Sequence, residues 1–324
     1  MLAAMKDDDS IYIGISACLL GERVRYDGGH KNSDFCTQVL APFVRYVPVC
    51  PEMGIGMGAP REAIHLQGEP EGTAVRAVGN RTKTLDVTEK LEAYGRAKAD
   101  ELDYLSGYIL MGRSPSCGME RIKVYGDNGM QLGRSTSGIY ARELMARHPL
   151  LPVEEEGRLN DVRLRENFVA RVYAWRRWQL LTRSGLTHAS LQDFHARHKY
   201  LLLAHNQPDY RLLGRIVALA HQRPLEAAAA DYIGLFMDTL KIVASNSNHS
   251  NVLTHIMGYL KHQLDTASKQ ELIGLIEEFR LGQVPLIAPL TLLKHHFRQH
   301  PNAYIARQYY LEPHPPELKL RNFH

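Results

Sequence analysis

Three of the four cysteines stand just beyond short apolar runs rich in β-branched and aromatic residues. Cys18 follows IYIGISA at 11–17, Cys50 follows VRYVPV at 44–49, and Cys117 comes a few residues after GYILMG at 107–112. Their neighbours are loop formers with little packing value. These include Gly21, Asp27-Gly28-Gly29-His30, Pro51-Glu52, the alternating Gly54, Gly56 and Gly58, and Ser114-Pro115-Ser116 ahead of Cys117-Gly118. A lone cysteine usually acts as a small buried hydrophobe, yet three at strand ends among glycine loops point to a site. Thiolates are soft metal ligands and nucleophiles, so the chemistry on offer is metal binding or catalysis. Paired C-x-x-C spacing is absent, which argues against a closed four-thiolate zinc. Three ligands leave one coordination position open. A catalytic zinc and an iron–sulfur cluster with one exposed iron both fit, and spacing alone does not choose between them.

These cysteines can meet only if the strands before them share a sheet and a direction. In open α/β sheets the binding site forms beyond the carboxyl ends of the strands. The three apolar runs read as buried strands. Between them, 87–105 places Leu91, Tyr94, Ala97, Leu102 and Leu105 near a helical period, with Thr88 as the expected N-cap. The 122–135 segment reads as a hairpin around Asp127-Asn128-Gly129, followed by the helix SGIYARELMARH. Strands alternating with helices predict an α/β domain with a mainly parallel sheet. Downstream, helical patterns cover 160–183, 190–205, 209–222, 225–246, 251–265, 268–281 and 289–299, which predicts an all-α domain.

Composition divides at the same place. Up to residue 155 there are 18 Lys+Arg against 21 Asp+Glu; beyond it there are 21 against 14, so the overall +4 averages a −3 half and a +7 half. All four cysteines precede the division, and both tryptophans follow it. The expected domains are therefore 1–155 and 156–324, with the Pro-containing, acidic stretch 151–161 as the linker. At 324 residues, 44% hydrophobic and 23% charged, the chain has enough apolar mass for ordinary globular cores, which excludes disordered and fibrous classes. No uncharged apolar run reaches 18 residues, and the opening MLAAMKDDDS carries acid where a signal peptide carries base, so a cytoplasmic protein without membrane association is expected.

The strings SACLLGERVRYDGGHK at 16–31, PVCPEMGIGMGAPRE at 48–62 and RSPSCG at 113–118 resemble the thiouracil desulfurase family over about residues 11–155. That resemblance implies a 4Fe–4S cluster held by Cys18, Cys50 and Cys117, with the fourth iron free to bind sulfur. It maps the family's catalytic glutamate and serine onto Glu52 and Ser114. It also implies non-redox desulfuration of a thiolated pyrimidine such as 2-thiouracil, so the expected partner is a small thiolated base or nucleoside. An open iron is a thiophilic Lewis acid, and a positioned carboxylate such as Glu52 can activate water or relay its proton. Ser114 can orient the water or the substrate. From about 190 to 321 the chain resembles the helical C-terminal domain of YbgA-like proteins, on FHARHKYLLLAHNQ at 194–207 and HPNAYIARQYYLEPHPPELKLRN at 300–322. This second resemblance implies architecture only.

Each of these residues also has a plainer reading. Glu52 can be a helix N-terminal acid after Pro51, and Ser114 a turn hydroxyl ahead of Pro115. The alternating glycines lack the Lys-Ser/Thr of a phosphate loop and read as a tight bend. Arg23, Arg25, Lys31 and Arg61 can neutralise a cluster or form ordinary ion pairs. His30 is a loop residue beside two glycines, and Cys36 reads as a packing cysteine. His195, His198 and His205 can share one helical face, with no carboxylate at matching spacing, so core histidines are favoured over a metal site. Residues 171–178, RVYAWRRW, interleave base and aromatic as an RNA surface does, but their rings do not share one helical face, and a packing helix is favoured. The tail EPHPPELKLRN is expected to be extended and to lie on the first domain. Two alternatives to the enzyme stand beside it: a module binding thiolated RNA or nucleotide through the helical domain, and a zinc protein using the same three thiolates.

Overall fold

A computed structural model describes residues 9–69, 74–82 and 84–323. The chain divides into two compact units, the first ending at Asn160 and the second beginning at Asp161. The first runs β1 (Tyr12–Ser16), β2 (Arg45–Val49), a one-turn helix α1 (Pro51–Gly54), β3 (Ile64–Gly68), β4 (Val75–Gly79), α2 (Thr88–Glu101), β5 (Gly107–Leu110), β6 (Ile122–Tyr125), β7 (Gln131–Thr136), α3 (Ile139–Arg147) and β8 (Val153–Glu155). The three apolar runs become β1, β2 and β5, and they join in one sheet of order β2-β1-β5-β8 in which every pairing is parallel. β1 and β5 are buried along their whole length, as central parallel strands are, while β2 carries Pro48 and exposed residues on the sheet edge.

A second sheet, of order β4-β3-β6-β7, mixes one parallel with two antiparallel pairings. Its β6–β7 half is the expected hairpin, turning where Gly126 N–H donates to Met130 C=O at 2.9 Å. Its β3–β4 half is not expected from the sequence pattern, because IHLQG and VRAVG are short and end in glycine. Ile64, Leu66, Val75, Ala77, Ile122 and Val124 of this sheet bury together with Leu91 of α2 and Ile139 of α3.

Two local expectations are corrected. Thr88 does not cap α2; Asp86 Oδ1 accepts its N–H at 2.9 Å, and the Thr88 hydroxyl accepts from Ala77 N–H at 2.8 Å, tying the helix to β4. The 151–161 stretch is not a linker throughout: Val153–Glu155 pairs with β5 as the fourth strand of the parallel sheet, and the units divide only at its end, between Asn160 and Asp161. Pro152 is the reason the two readings differ: a proline announces a break, yet its carbonyl accepts from Tyr108 N–H at 2.8 Å and opens the strand.

The second unit is all helical: α4 (Val162–Arg183), α5 (His188–His205), α6 (Gln207–Leu219), α7 (Leu225–Lys241), α8 (Asn246–Met257), α9 (Thr266–Arg280), α10 (Ile287–Gln299) and the single turn α11 (Ala303–Ala306). Polar caps start most of them. Asp161, Asn206, Ser245 and Asp265 each accept a first-turn N–H, and Thr187 forms a capping box with Ser190. The expected helix 225–246 ends at Lys241 because Ser245 caps the next one, which begins at Asn246 rather than 251. Trp178, Phe194, Tyr232 and Phe236 pack their rings edge-on and tilted in its core. No helix among the described residues is long and apolar enough to cross a membrane.

Candidate functional site

Parallel pairing carries the cysteines to one edge of the sheet. Ser16 of β1 stands opposite Val49 of β2, so Cys50 leaves the sheet one residue beyond that pair and Cys18 two residues beyond it. β5 runs the same way, with Ile109 opposite Ile15, and its exit leads to the Cys117 loop. Cys18, Cys50, Cys117, Glu52 and Ser114 all line one cavity of about 500 Å³, a volume typical of small-molecule sites.

The loops around the cavity are tied to one another. The Cys18 carbonyl accepts from Gly21 N–H at 3.3 Å and Lys31 N–H at 2.9 Å, closing the 21–31 loop on the cysteine that begins it. The 111–119 loop hangs from the acidic run at the end of β8: Gly112 N–H donates to Glu156 Oε2 at 2.7 Å and Met119 N–H to Glu155 Oε1 at 2.8 Å. Glu156 Oε1 also receives Lys31 Nζ at 2.7 Å, which joins the first loop to the third. The acidic stretch expected to separate domains therefore braces the site.

Glu52 sits on α1, two residues after Cys50. Its Oε2 accepts from Arg61 Nε at 2.7 Å and is ion-paired with Arg61 Nη2 at 2.6 Å, while its Oε1 accepts from the Ser116 hydroxyl at 2.8 Å. The other terminal nitrogen of Arg61, Nη1, donates to Val24 C=O at 2.8 Å and Gly58 C=O at 2.7 Å, so one guanidinium binds two cavity loops and the carboxylate. Ser114 Oγ accepts from Ser116 N–H at 3.2 Å and Cys117 N–H at 3.0 Å, the turn role open to a serine before proline, at the same time as it faces the cavity.

The thiols carry the electrostatic signature of a shared site. Burial, followed by repulsion from Cys50, pushes Cys18 up to about 11. Burial also raises Cys50, and it raises Cys117 well above the ordinary thiol value, with Glu52, Cys50 and Cys18 adding to the Cys117 shift. None of the four cysteines is in a disulfide. Three thiols, Cys18 and Cys117 buried and Cys50 partly so, that repel one another as thiolates suit a cationic centre that neutralises them on binding. Among the described residues no three His, Cys, Asp or Glu side chains gather tightly enough for a single metal ion. All three cysteines line one cavity, and three soft thiolates are a donor set that fits a thiolate-held iron–sulfur cluster.

The remaining sequence candidates fall into place around this cavity or away from it. Gly56 and Gly58 adopt φ of +84° and +74°, making the alternating glycines a backbone bend. Gly54 is required by close approach: a Cβ there would stand 2.3 Å from Tyr94 Cζ. Arg25 and Lys31 line the cavity with Arg61, whereas His30 is exposed and receives Asn32 N–H on Nδ1 at 3.3 Å. Cys36 is fully buried in the 35–40 turn. His198 and His205 of α5 are buried with Nδ1 on the Phe194 and Ile242 carbonyls, and His195 stacks on Tyr210 at 5.4 Å, so the three form no metal centre. Arg171, Arg176 and Trp178 of α4 are buried in the helical unit, where they serve packing. The tail packs within that unit too: Phe323 C=O accepts from Leu286 N–H at 3.1 Å, and Arg321 Nε donates to Glu166 Oε1 at 3.0 Å.

Three contributors to the site lie beyond sequence reasoning. Ser116 shares its string with the candidate Ser114, and its place beside Cys117 is the only signal that marks it. Glu155 and Glu156 are hidden in a run that looks like solvated acid.

A family model described as 2-thiouracil desulfurase matches residues 13–156, and one described as a protein of unknown function, DUF1722, matches residues 199–315. The chain is 36% identical over 165 residues to the uncharacterized protein YbgA of Escherichia coli strain K12, a match covering 51% of this chain and 98% of that protein. Among solved structures, the [4Fe-4S]-dependent thiouracil desulfidase TudS is 31% identical, over 48% of this chain and 97% of that one, with a TM-score of 0.37.

Proposed function

Since the chain belongs to the YbgA-like family and joins a 2-thiouracil desulfurase domain to a DUF1722 domain, we propose that it removes sulfur from a thiolated pyrimidine such as 2-thiouracil, using a 4Fe–4S cluster held by Cys18, Cys50 and Cys117. One observation carries the proposal: the three thiols, Glu52 and Ser114 share the wall of a single cavity at the carboxyl edge of a parallel sheet. A cluster with three protein ligands supplies one open iron, a Lewis acid for the thiocarbonyl sulfur.

The overall exchange converts C=S and water into C=O and hydrogen sulfide with no change in oxidation state, so the protein need only bind, orient and move protons. Glu52 Oε1 accepts the proton of the attacking water and returns it toward the leaving sulfur, the role expected of a positioned carboxylate. Ser114 donates its hydroxyl hydrogen to the substrate or the water. Arg25 and Lys31 add positive charge beside the thiolates.

The test is anaerobic reconstitution of the full chain, with iron and sulfide content and turnover of 2-thiouracil measured on one sample. Glu52→Gln is expected to keep wild-type iron and to lose at least about 100-fold in turnover. A colourless chain holding stoichiometric zinc and no sulfide is the outcome that defeats the cluster reading.

A further inference from the structure

The hydrogen bonds around Glu52 deepen the proposed function, and the roles they give to its neighbours rest on that reading of the site. A carboxylate offers about four acceptor positions, two on each oxygen. Arg61 Nε donates to Oε2 at 2.7 Å and Nη2 is ion-paired with the same oxygen at 2.6 Å, so the guanidinium covers Oε2, and Ser116 Oγ occupies one position on Oε1, at 2.8 Å. Glu52 is left with one acceptor position, on Oε1. A hydroxyl offers two acceptor positions and one hydrogen. Ser114 Oγ accepts twice, from the N–H groups of Ser116 and Cys117, which leaves only its hydrogen. The polarity of the cavity wall is therefore set: Glu52 can only accept there, through Oε1, and Ser114 can only donate.

We infer that Ser116 and Arg61 are positioning residues that act through Glu52, holding its carboxylate so that Oε1 alone is presented to the water. Ser116 is fully buried and its hydroxyl hydrogen is given to Glu52, so it contributes by orientation without touching the reacting atoms. Arg61 contributes orientation by its two-nitrogen grip and also fastens the Val24 and Gly58 loops, which a lysine cannot reproduce because it lacks the planar fork.

The test uses Ser116→Ala and Arg61→Lys, each alone and with Glu52→Gln, together with Arg61→Met alone, in the full anaerobically reconstituted chain. Iron and sulfide content, the visible spectrum, kcat and KM for 2-thiouracil are measured. Ser116→Ala is expected to keep the iron, the spectrum and KM within about twofold while kcat falls about tenfold or more, the scale of a misoriented catalytic group. Added to Glu52→Gln, it should lower the residual kcat less than about twofold, since its effect passes through the carboxylate. Arg61→Lys should lower kcat likewise and restore part of what Arg61→Met loses.

An arm without turnover reads the contact itself. In the metal-free chain, the stability losses from Ser116→Ala and Glu52→Gln should fail to add, as they do for touching groups. Additive losses, an undiminished kcat in Ser116→Ala, a kcat loss that recurs in full on Glu52→Gln, or a loss matched by missing iron each overturn the inference. Full turnover in Glu52→Gln alone is a different failure, since it removes the proposed function, and the stability arm still decides whether the clamp exists.

Discussion

At the scale of single residues, the division of labour among the cysteines can be tested by deletion. Cys18→Ala, Cys50→Ala and Cys117→Ala are each expected to abolish iron binding on reconstitution, and Cys36→Ala to leave iron content unchanged, as measured by metal and acid-labile sulfide assays. Cys36 is fully buried away from the cavity lining, so its replacement removes packing and no ligand. Titration supplies a second expectation. Cys18 holds its proton up to about 11 in the folded chain against an ordinary value of 9.0, burial being the main cause. Between those values the unfolded chain has released a proton that the folded one keeps, so the metal-free protein loses stability as pH rises through that window. Denaturant melts from pH 8 to 11 should show the decline, and Cys18→Ala should make it shallower.

At the scale of elements, the seat of α1 decides where Glu52 and Cys50 stand. Tyr94 on α2 presses its ring against Gly54 so closely that a Cβ would come within 2.3 Å of Cζ. Gly54→Ala should therefore push α1 off α2, costing about 1–3 kcal/mol as overpacking does, and iron loading should fall with it. Tyr94→Ala added to Gly54→Ala removes the obstruction, and iron content should recover. The sequence makes the loop visible through its glycines, but which glycine bends the chain and which admits a ring is not written there. Gly56 and Gly58 bend with positive φ; Gly54 is helical and accommodates a side chain 40 residues away in sequence. In the same way the acidic stretch after Pro152 looks like a spacer until β8 pairs with β5, and Glu155 and Glu156 receive the N–H groups of Met119 and Gly112.

At the scale of the whole molecule, the second unit is closed by its own tail. Arg321 reaches Glu166 at 3.0 Å, with His314 at 3.5 Å from the same oxygen, and Arg321 Nη1 also donates to Tyr310 C=O. Burial alone would raise Glu166, and the facing His314 and Arg321 reverse that and hold it below the ordinary carboxylate value. Arg321→Met leaves a buried carboxylate short of its main counter-charge, a loss of about 3–5 kcal/mol, so the helical unit should melt about 10 °C lower by circular dichroism at 222 nm. A melting point within a degree or two of the parent would show that the tail adds little.

By itself, the amino-acid order determined the class of each half, the three strands that end in cysteines and the donor set they bring, because apolar periodicity, polar caps and ligand type are local properties. The resemblance of its motifs to a known family added the reaction expected of that set. What lay beyond it were contacts between residues far apart in the chain: the β3–β4 strands, the bracing glutamates, the Tyr94–Gly54 approach and the grip of Ser116 and Arg61 on Glu52. Those depend on which side chains tertiary packing brings within hydrogen-bonding distance, and neither spacing nor composition encodes that distance.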